Sequence, residues 1–143
     1  MSKYFVSVEN LAKRYPTKKG EPDLTIFDNA NIGINKGEFV CIIGHSGCGK
    51  STIMNVLAGL DEASQGAVIM EGKEVVGPSL DRGVVFQNYS LLPWLTALQN
   101  VLFGVRARWP QWSKEKAIAH SKHYLDMVGL TSTMNRKPSQ LSG

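Results

Sequence analysis

Cysteine is scarce. The 143 residues hold Cys41 and Cys48 and no others, too few for the disulfide framework that staples small secreted domains. Long apolar runs are also lacking. The longest, such as Phe39 to Ile43, fall far short of the roughly 20 residues a bilayer-spanning helix needs. The opening Met1-Ser2-Lys3-Tyr4-Phe5 carries no apolar stretch of the kind a secretory signal uses. No internal repeat, low-complexity tract or Pro/Ser-rich linker divides the chain, so residues 1–143 read as one continuous unit. Neither sign of charge dominates: 16 Lys and Arg face 12 Asp and Glu, a formal charge of +4. That mild excess suits a phosphate ligand or an anionic membrane face without demanding either. These absences together imply a reducing, cytoplasmic setting, with membrane association only through a partner.

What is present is ordered. The first third alternates as antiparallel strands do, at Phe5 to Val8, Thr25 to Phe27 and Ala30-Ile32-Ile34, before a turn at Lys36-Gly37. Phe39 to Ile43 is an unbroken apolar run, which predicts a strand buried on both faces of a parallel sheet, with Cys41 inert inside it. A glycine-rich loop follows. Ile53, Val56, Leu57 and Leu60 then fall on one helical face, with Gly59 as the stop. Ala67 to Met70, a turn at Glu71-Gly72-Lys73, and a second buried strand at Val84-Val85-Phe86 come next. The last third turns helical. Thr96 is positioned to cap a helix whose Leu98, Val101, Leu102 and Val105 share a face, and Arg108-Trp109-Pro110 ends it. Ser113 is positioned to cap another, with Ala117, Ile118, Ser121, Leu125 and Val128 inward and Gly129 at its end. His120 and His123 are three apart on that helix without a third ligand nearby, which reads as a solvated face rather than a metal site.

Gly44-His45-Ser46-Gly47-Cys48-Gly49-Lys50-Ser51 matches G-x-x-x-x-G-K-[ST] in full, between an expected strand and an expected helix. Each fixed position has a chemical reason. The glycines let the backbone wrap a phosphate with N–H groups inward, and Lys50 brings a point charge to the β- and γ-phosphates. Ser51 offers a hydroxyl to Mg²⁺, and the helix that starts there adds its positive end. The loop alone leaves GTPases, nucleotide kinases, helicases and transport ATPases all open.

Further residues resemble the ABC ATPases. Tyr15, within Lys13-Arg14-Tyr15-Pro16, lies where that family places an aromatic that stacks on adenine. Gln87, closing Val84-Val85-Phe86-Gln87, is similar to the family's Q-loop glutamine at Mg²⁺ and the γ-phosphate. Leu57-Ala58-Gly59-Leu60 is typical of the family, and Leu141-Ser142-Gly143 resembles the opening of its LSGGQ signature. His45-Ser46-Gly47-Cys48 and the segment from Gln87 to Thr96 resemble the branch that imports nitrate, sulfonates and taurine. Arg106 to Ser113 is most similar to the nitrate, bicarbonate and cyanate members.

The resemblance implies an α/β fold of the P-loop NTPase class. Residues 1–87 would form an antiparallel β subdomain with the phosphate-loop core, and residues 88–143 the Q-loop and part of a helical subdomain. It implies ATP and Mg²⁺ as cofactors, with Ser51 and Gln87 toward the metal. The nucleotide would be held by Tyr15, Gly44, His45, Ser46, Gly47, Cys48, Gly49, Lys50, Ser51, Thr52 and Gln87. Ser142 and Gly143 would face the ATP of a second ATP-binding subunit. Leu91, Leu92, Trp94 and Leu95 would receive a transmembrane permease subunit, itself served by a periplasmic substrate-binding protein. No nucleic-acid partner is implied, and the position is peripheral, on the inner face of the plasma membrane. The family's metal-holding Asp, catalytic Glu and switch His fall beyond Gly143, so the fold is expected to be incomplete and the chain alone to bind nucleotide weakly without turnover. A non-hydrolytic nucleotide-binding module, a non-transport ABC ATPase and an unrelated nucleotide kinase remain as alternatives.

Overall fold

The computed structural model describes residues 3–88 and 90–141. It divides into two compact units, Met1–Val84 and Val85–Gly143.

In the first unit, β1 (Val6–Tyr15), β2 (Leu24–Ile34), β3 (Gln65–Met70) and β4 (Lys73–Glu74) form one antiparallel sheet in the order β2-β1-β3-β4. The helix α1 (Lys50–Ala58) supplies the other layer of the core: Val6, Val8 and Leu11 of β1 and Val68 of β3 pack with Ile53 and Val56. In a regular strand Val8 and Leu11 would point to opposite faces, since they are an odd number of residues apart. A bulge resolves this. The register slips between Val8 and Leu11 against β2 and between Glu9 and Ala12 against β3, and Asn10 takes a positive φ of 49°. Asn31 Oδ1 accepts the displaced Asn10 N–H at 2.9 Å. The extra residue returns Leu11 to the core, where it is fully buried, and brings Lys13 inside as well.

The two expected buried strands do not form. Phe39 is 91% exposed and Ile43 92%, Cys41 is exposed, and Val85 of the second unit is 100% exposed. Neither segment pairs with a strand among the described residues. A parallel strand owes its place to neighbours on both sides, and apolar composition alone supplies none. Leu60 is also exposed rather than on the buried face of α1. Gly59 ends the helix in the left-handed region, so Leu60 leaves the spiral, and its N–H bonds back to Asn55 O at 2.8 Å.

In the second unit, α2 (Ala97–Arg108) and α3 (Lys114–Met127) pack through buried Ala97, Val105, Ala117, Ser121 and Leu125. The Ser121 hydroxyl donates to Ala117 O at 2.8 Å, which lets a polar side chain sit in that core. Thr96 and Gln99 form a reciprocal capping box. The Ala97 and Leu98 N–H groups donate to Arg136 O and Met134 O, both at 2.9 Å, so the start of α2 is fully committed. Ser113 caps α3 by accepting from Lys116 N. Val128 is exposed, because α3 ends at Met127 and the next residue is out of helical phase.

Two features of this unit lie outside simple periodicity. Trp109 and Trp112 stack with centroids 4.5 Å apart and planes 5° from parallel. The His120 ring stands edge-on to both, at 5.3 and 5.1 Å, so His120 closes an aromatic cluster instead of facing solvent alone. Asn100 pins the segment before α2. Its Oδ1 accepts from Leu92 N at 2.8 Å, and its Nδ2 lies 3.2 Å from Leu92 O, 3.3 Å from Leu95 O and 3.0 Å from Thr96 O. Asn100→Ala is expected to cost about 2 kcal/mol, since one side chain satisfies several backbone groups at once. Hydrogen exchange reads this directly. The Leu92 amide should lose its protection, and unchanged protection would mean the turn holds without Asn100.

Candidate functional site

The loop from Gly44 to Ser51 enters α1 without the side-chain caps that open α2 and α3. Gly49 occupies the N-cap in the left-handed region, no side chain accepts from the first-turn N–H groups, and no acidic residue lies in that turn. An α-helix leaves its first N–H groups unpaired, with the positive end of its dipole behind them. At α2 those donors are used by a capping box and by carbonyls from the end of the chain; at α1 they face the loop unclaimed by side chains.

Local packing sets the loop in place. A Cβ added at Gly49 would lie 2.7 Å from Ile26 Cγ2, and Gly49 has φ of 90°, so only glycine brings the helix start this close to β2. A Cβ at Gly44 would meet Cys48 Sγ at 2.5 Å, which shows how tightly the loop closes on itself. Cys48 N donates to His45 O at 3.4 Å, and His45 Nδ1 lies 2.8 Å from Ser46 O. The Lys50 ammonium is folded into the loop. It donates to Gly44 O at 2.7 Å and His45 O at 2.6 Å, and lies 3.6 Å from Cys48 Sγ. His45, Ser46, Gly47 and Ser51 are exposed, and Cys48, Gly49, Lys50 and Thr52 half-buried. The arrangement is a solvent-open turn that sets the uncapped first-turn donors of α1 and one cation side by side, a combination suited to a polyanion. The exposed Ser51 hydroxyl fits Mg²⁺, which takes one or two protein oxygens and completes its octahedron with phosphate oxygens and water.

Tyr15 closes β1, opposite Leu24 of β2, two residues from the Ile26 that backs Gly49. Its hydroxyl donates to Asp61 Oδ2 at 2.8 Å. Lys13, only 7% exposed, donates to Asp61 Oδ1 at 2.6 Å and Glu62 O at 2.7 Å. The same ammonium lies 4.7 Å from the Tyr15 ring centroid, over one face. The Lys13 hydrogen bond, then that of Tyr15, holds the Asp61 carboxyl below its ordinary range against an opposing effect of burial. The hydrogen bond to Asp61 raises the Tyr15 phenol. Asp61 therefore adds stability above the usual carboxylate pKa and loses it as pH falls through the lowered value. Tyr15 adds stability below the usual phenol pKa and loses it as pH rises through the raised one. Lys13 and Asp61 escaped the sequence reading because they lie 48 positions apart, in no local pattern.

The remaining expected residues belong to the second unit. Gln87 is exposed there. Leu91 and Trp94 are exposed, Trp94 at 65%, while Leu92 and Leu95 are half-buried on the turn that Asn100 holds. Ser142 and Gly143 lie outside the described residues.

A profile described as ABC transporter matches residues 27–143. The bicarbonate transport ATP-binding protein CmpD of Synechocystis sp. is 50% identical over 139 residues, which cover 97% of this chain and 49% of that protein. The nitrate import ATP-binding protein NrtD of Synechococcus elongatus is 42% identical over 139 residues, 97% of this chain and 50% of that one. The dimeric ATP-binding cassette MJ0796, solved with ADP and Pi, is 34% identical, with a TM-score of 0.83 over 96% of this chain and 63% of that structure. The chain thus spans about half the length of the curated relatives it matches.

Proposed function

The chain belongs to the ABC transporter family, and from that premise we propose that it is the nucleotide-holding half of an importer's ATP-binding subunit, serving a small oxyanion of the bicarbonate or nitrate kind. The uncapped start of α1 carries the reading. Its free first-turn donors, the glycine-shaped loop and the Lys50 ammonium converge on one solvent-open turn. An entering triphosphate exchanges the Gly44 and His45 carbonyls for its own oxygens around Lys50, while the loop N–H groups, from Gly44 through Thr52, take the β-phosphate. Charge-assisted bonds of this kind are about twice as strong as neutral ones.

Tyr15 supplies a stacking face for the base. Ser51 is the oxygen donor that the first unit offers to Mg²⁺, which when bound would neutralise charge on the phosphates, and Gln87 keeps the Q-loop role that the family resemblance assigns to it. In this reading residues 1–87 form the β subdomain and phosphate-loop core, and residues 88–143 the Q-loop and part of the helical subdomain. The oxyanion class rests on the names of the bicarbonate and nitrate relatives. The dimeric cassette supports pairing with a second ATP-binding subunit, and the family resemblance assigns Ser142 and Gly143 to the nucleotide of that partner. Hydrolysis would be coupled to transport through a permease on the inner face of the membrane, with a periplasmic binding protein delivering the anion.

Equilibrium dialysis against Mg-ATP tests the binding half of the proposal, and absence of saturable binding would sink it. Uptake of labelled bicarbonate and nitrate by a strain lacking its own importer tests the substrate. The docking half rests on Leu91, Leu92, Trp94 and Leu95. An exposed indole among leucines is poorly placed in water unless a partner covers it. Trp94→Ser should abolish copurification with the permease while ATP affinity stays within about twofold of the parent, because a surface change away from the loop costs little. Loss of both together would count against a docking role.

A further inference from the structure

We propose that Lys13 and Asp61 are positioning residues for Tyr15, holding its ring so that a nucleotide base stacks on one face only. This rests on the nucleotide reading above. The ring is constrained at two points. Asp61 Oδ2 accepts the hydroxyl at 2.8 Å, which opposes rotation of the side chain into its other staggered wells. The Lys13 ammonium lies over one face at 4.7 Å and closes it to a ligand. Lys13 cannot swing aside cheaply. It is nearly buried, and its ammonium is engaged by Asp61 Oδ1 at 2.6 Å and Glu62 O at 2.7 Å. Tyr15 remains 39% exposed, so the opposite face and ring edge are what solvent, or a base, can reach.

The cation does more than block. A positive charge on one face draws π density toward itself, which makes the other face a better partner for an electron-rich purine. Asp61 is set by the helix that begins at the phosphate loop: α1 stops at Gly59, and the Leu60 and Asp61 N–H groups both bond to Asn55 O, at 2.8 and 3.3 Å. One helix therefore carries the phosphate loop at its start and the clamp of the base platform just past its end.

The test compares two ligands on the purified full chain: Mg-ATP, and inorganic tripolyphosphate with Mg²⁺, which has the anion but no base. Base–aromatic stacking sets the scale, so Tyr15→Leu should weaken ATP by about 30-fold and leave tripolyphosphate unchanged. Tyr15→Phe keeps the ring and removes only the tether. It and Asp61→Asn should each weaken ATP by about fivefold with tripolyphosphate unaffected, a fraction of the full stacking effect. The double variant should lose no more than Asp61→Asn alone, because the bond that Tyr15→Phe removes is one of the two that Asp61→Asn already disturbs. ATP affinity equal to the parent in both single variants would overturn the inference, as would parallel losses for ATP and tripolyphosphate. Lys50→Ala separates the two levels: if it leaves both ligands bound as before, or if the parent binds neither, the nucleotide reading fails and takes this inference with it.

Discussion

Gly66→Ala is expected to cost the first unit about 3–5 kcal/mol, enough to lower its melting midpoint by about 15–25 °C. Gly66 stands where the bulge in β1 crosses β3. A Cβ there would lie 2.4 Å from both Asn10 O and Glu9 O, backbone atoms that have no rotamer to move into. Its φ of 79° adds about 1–2 kcal/mol of left-handed strain for any residue with a side chain. Relief would require β1 to retreat, and β1 carries Val6, Val8 and Leu11, half of the buried cluster that meets α1. Gly72 is the natural control. It has φ of 75° but nothing within 4 Å of an added Cβ, so Gly72→Ala carries the conformational strain alone, about 1 kcal/mol. Thermal melts followed by circular dichroism compare the two. Equal shifts would show that the close approach at Gly66 relaxes freely.

Lys50→Ala should weaken Mg-ATP about 100-fold, the loss of one or two charge-assisted hydrogen bonds to phosphate at about 1.5–3 kcal/mol each. The fold should survive, because the Lys50 partners are carbonyls of an exposed loop that water can satisfy. Lys50→Arg is not expected to restore binding. The ammonium is a compact donor held at 2.7 and 2.6 Å between two loop carbonyls, a space that a planar guanidinium does not match. Titration calorimetry with a parallel thermal melt reads both quantities. An affinity within threefold of the parent would remove Lys50 from the site.

The loop was legible because its chemistry demands particular residue types at fixed spacing, and the same holds for the caps at Thr96 and Ser113. Local rules reach a few residues along the chain, and each of these features is contiguous in sequence. The strands at residues 39–43 and 84–86 were misread for the opposite reason. Apolar runs state a demand for neighbours, and in the described residues no strand answers it. The full length of β1 was hidden by its bulge, which breaks the alternation at Glu9 and Asn10, so only its first residues looked like a strand. Lys13 and Asp61 meet through tertiary packing, and His120 finds its aromatic neighbours across a loop. No window of local sequence contains the first contact, and helical periodicity does not register the second, which joins a helix face to the loop before it.

The bulge in β1 also makes the count of residues between Val8 and Lys13 a matter of parity. Side chains alternate along a strand, so removing or inserting a single residue here would exchange odd for even positions downstream. Arg14, now paired with Asp28, would turn toward the place of Lys13, and Tyr15 would be carried to the other side of the sheet. Substitutions at exposed Glu9 leave that count untouched. At Glu9 the chain is therefore constrained in length more strictly than in composition: that position tolerates new letters, and the stretch around it does not tolerate a single-letter insertion or deletion.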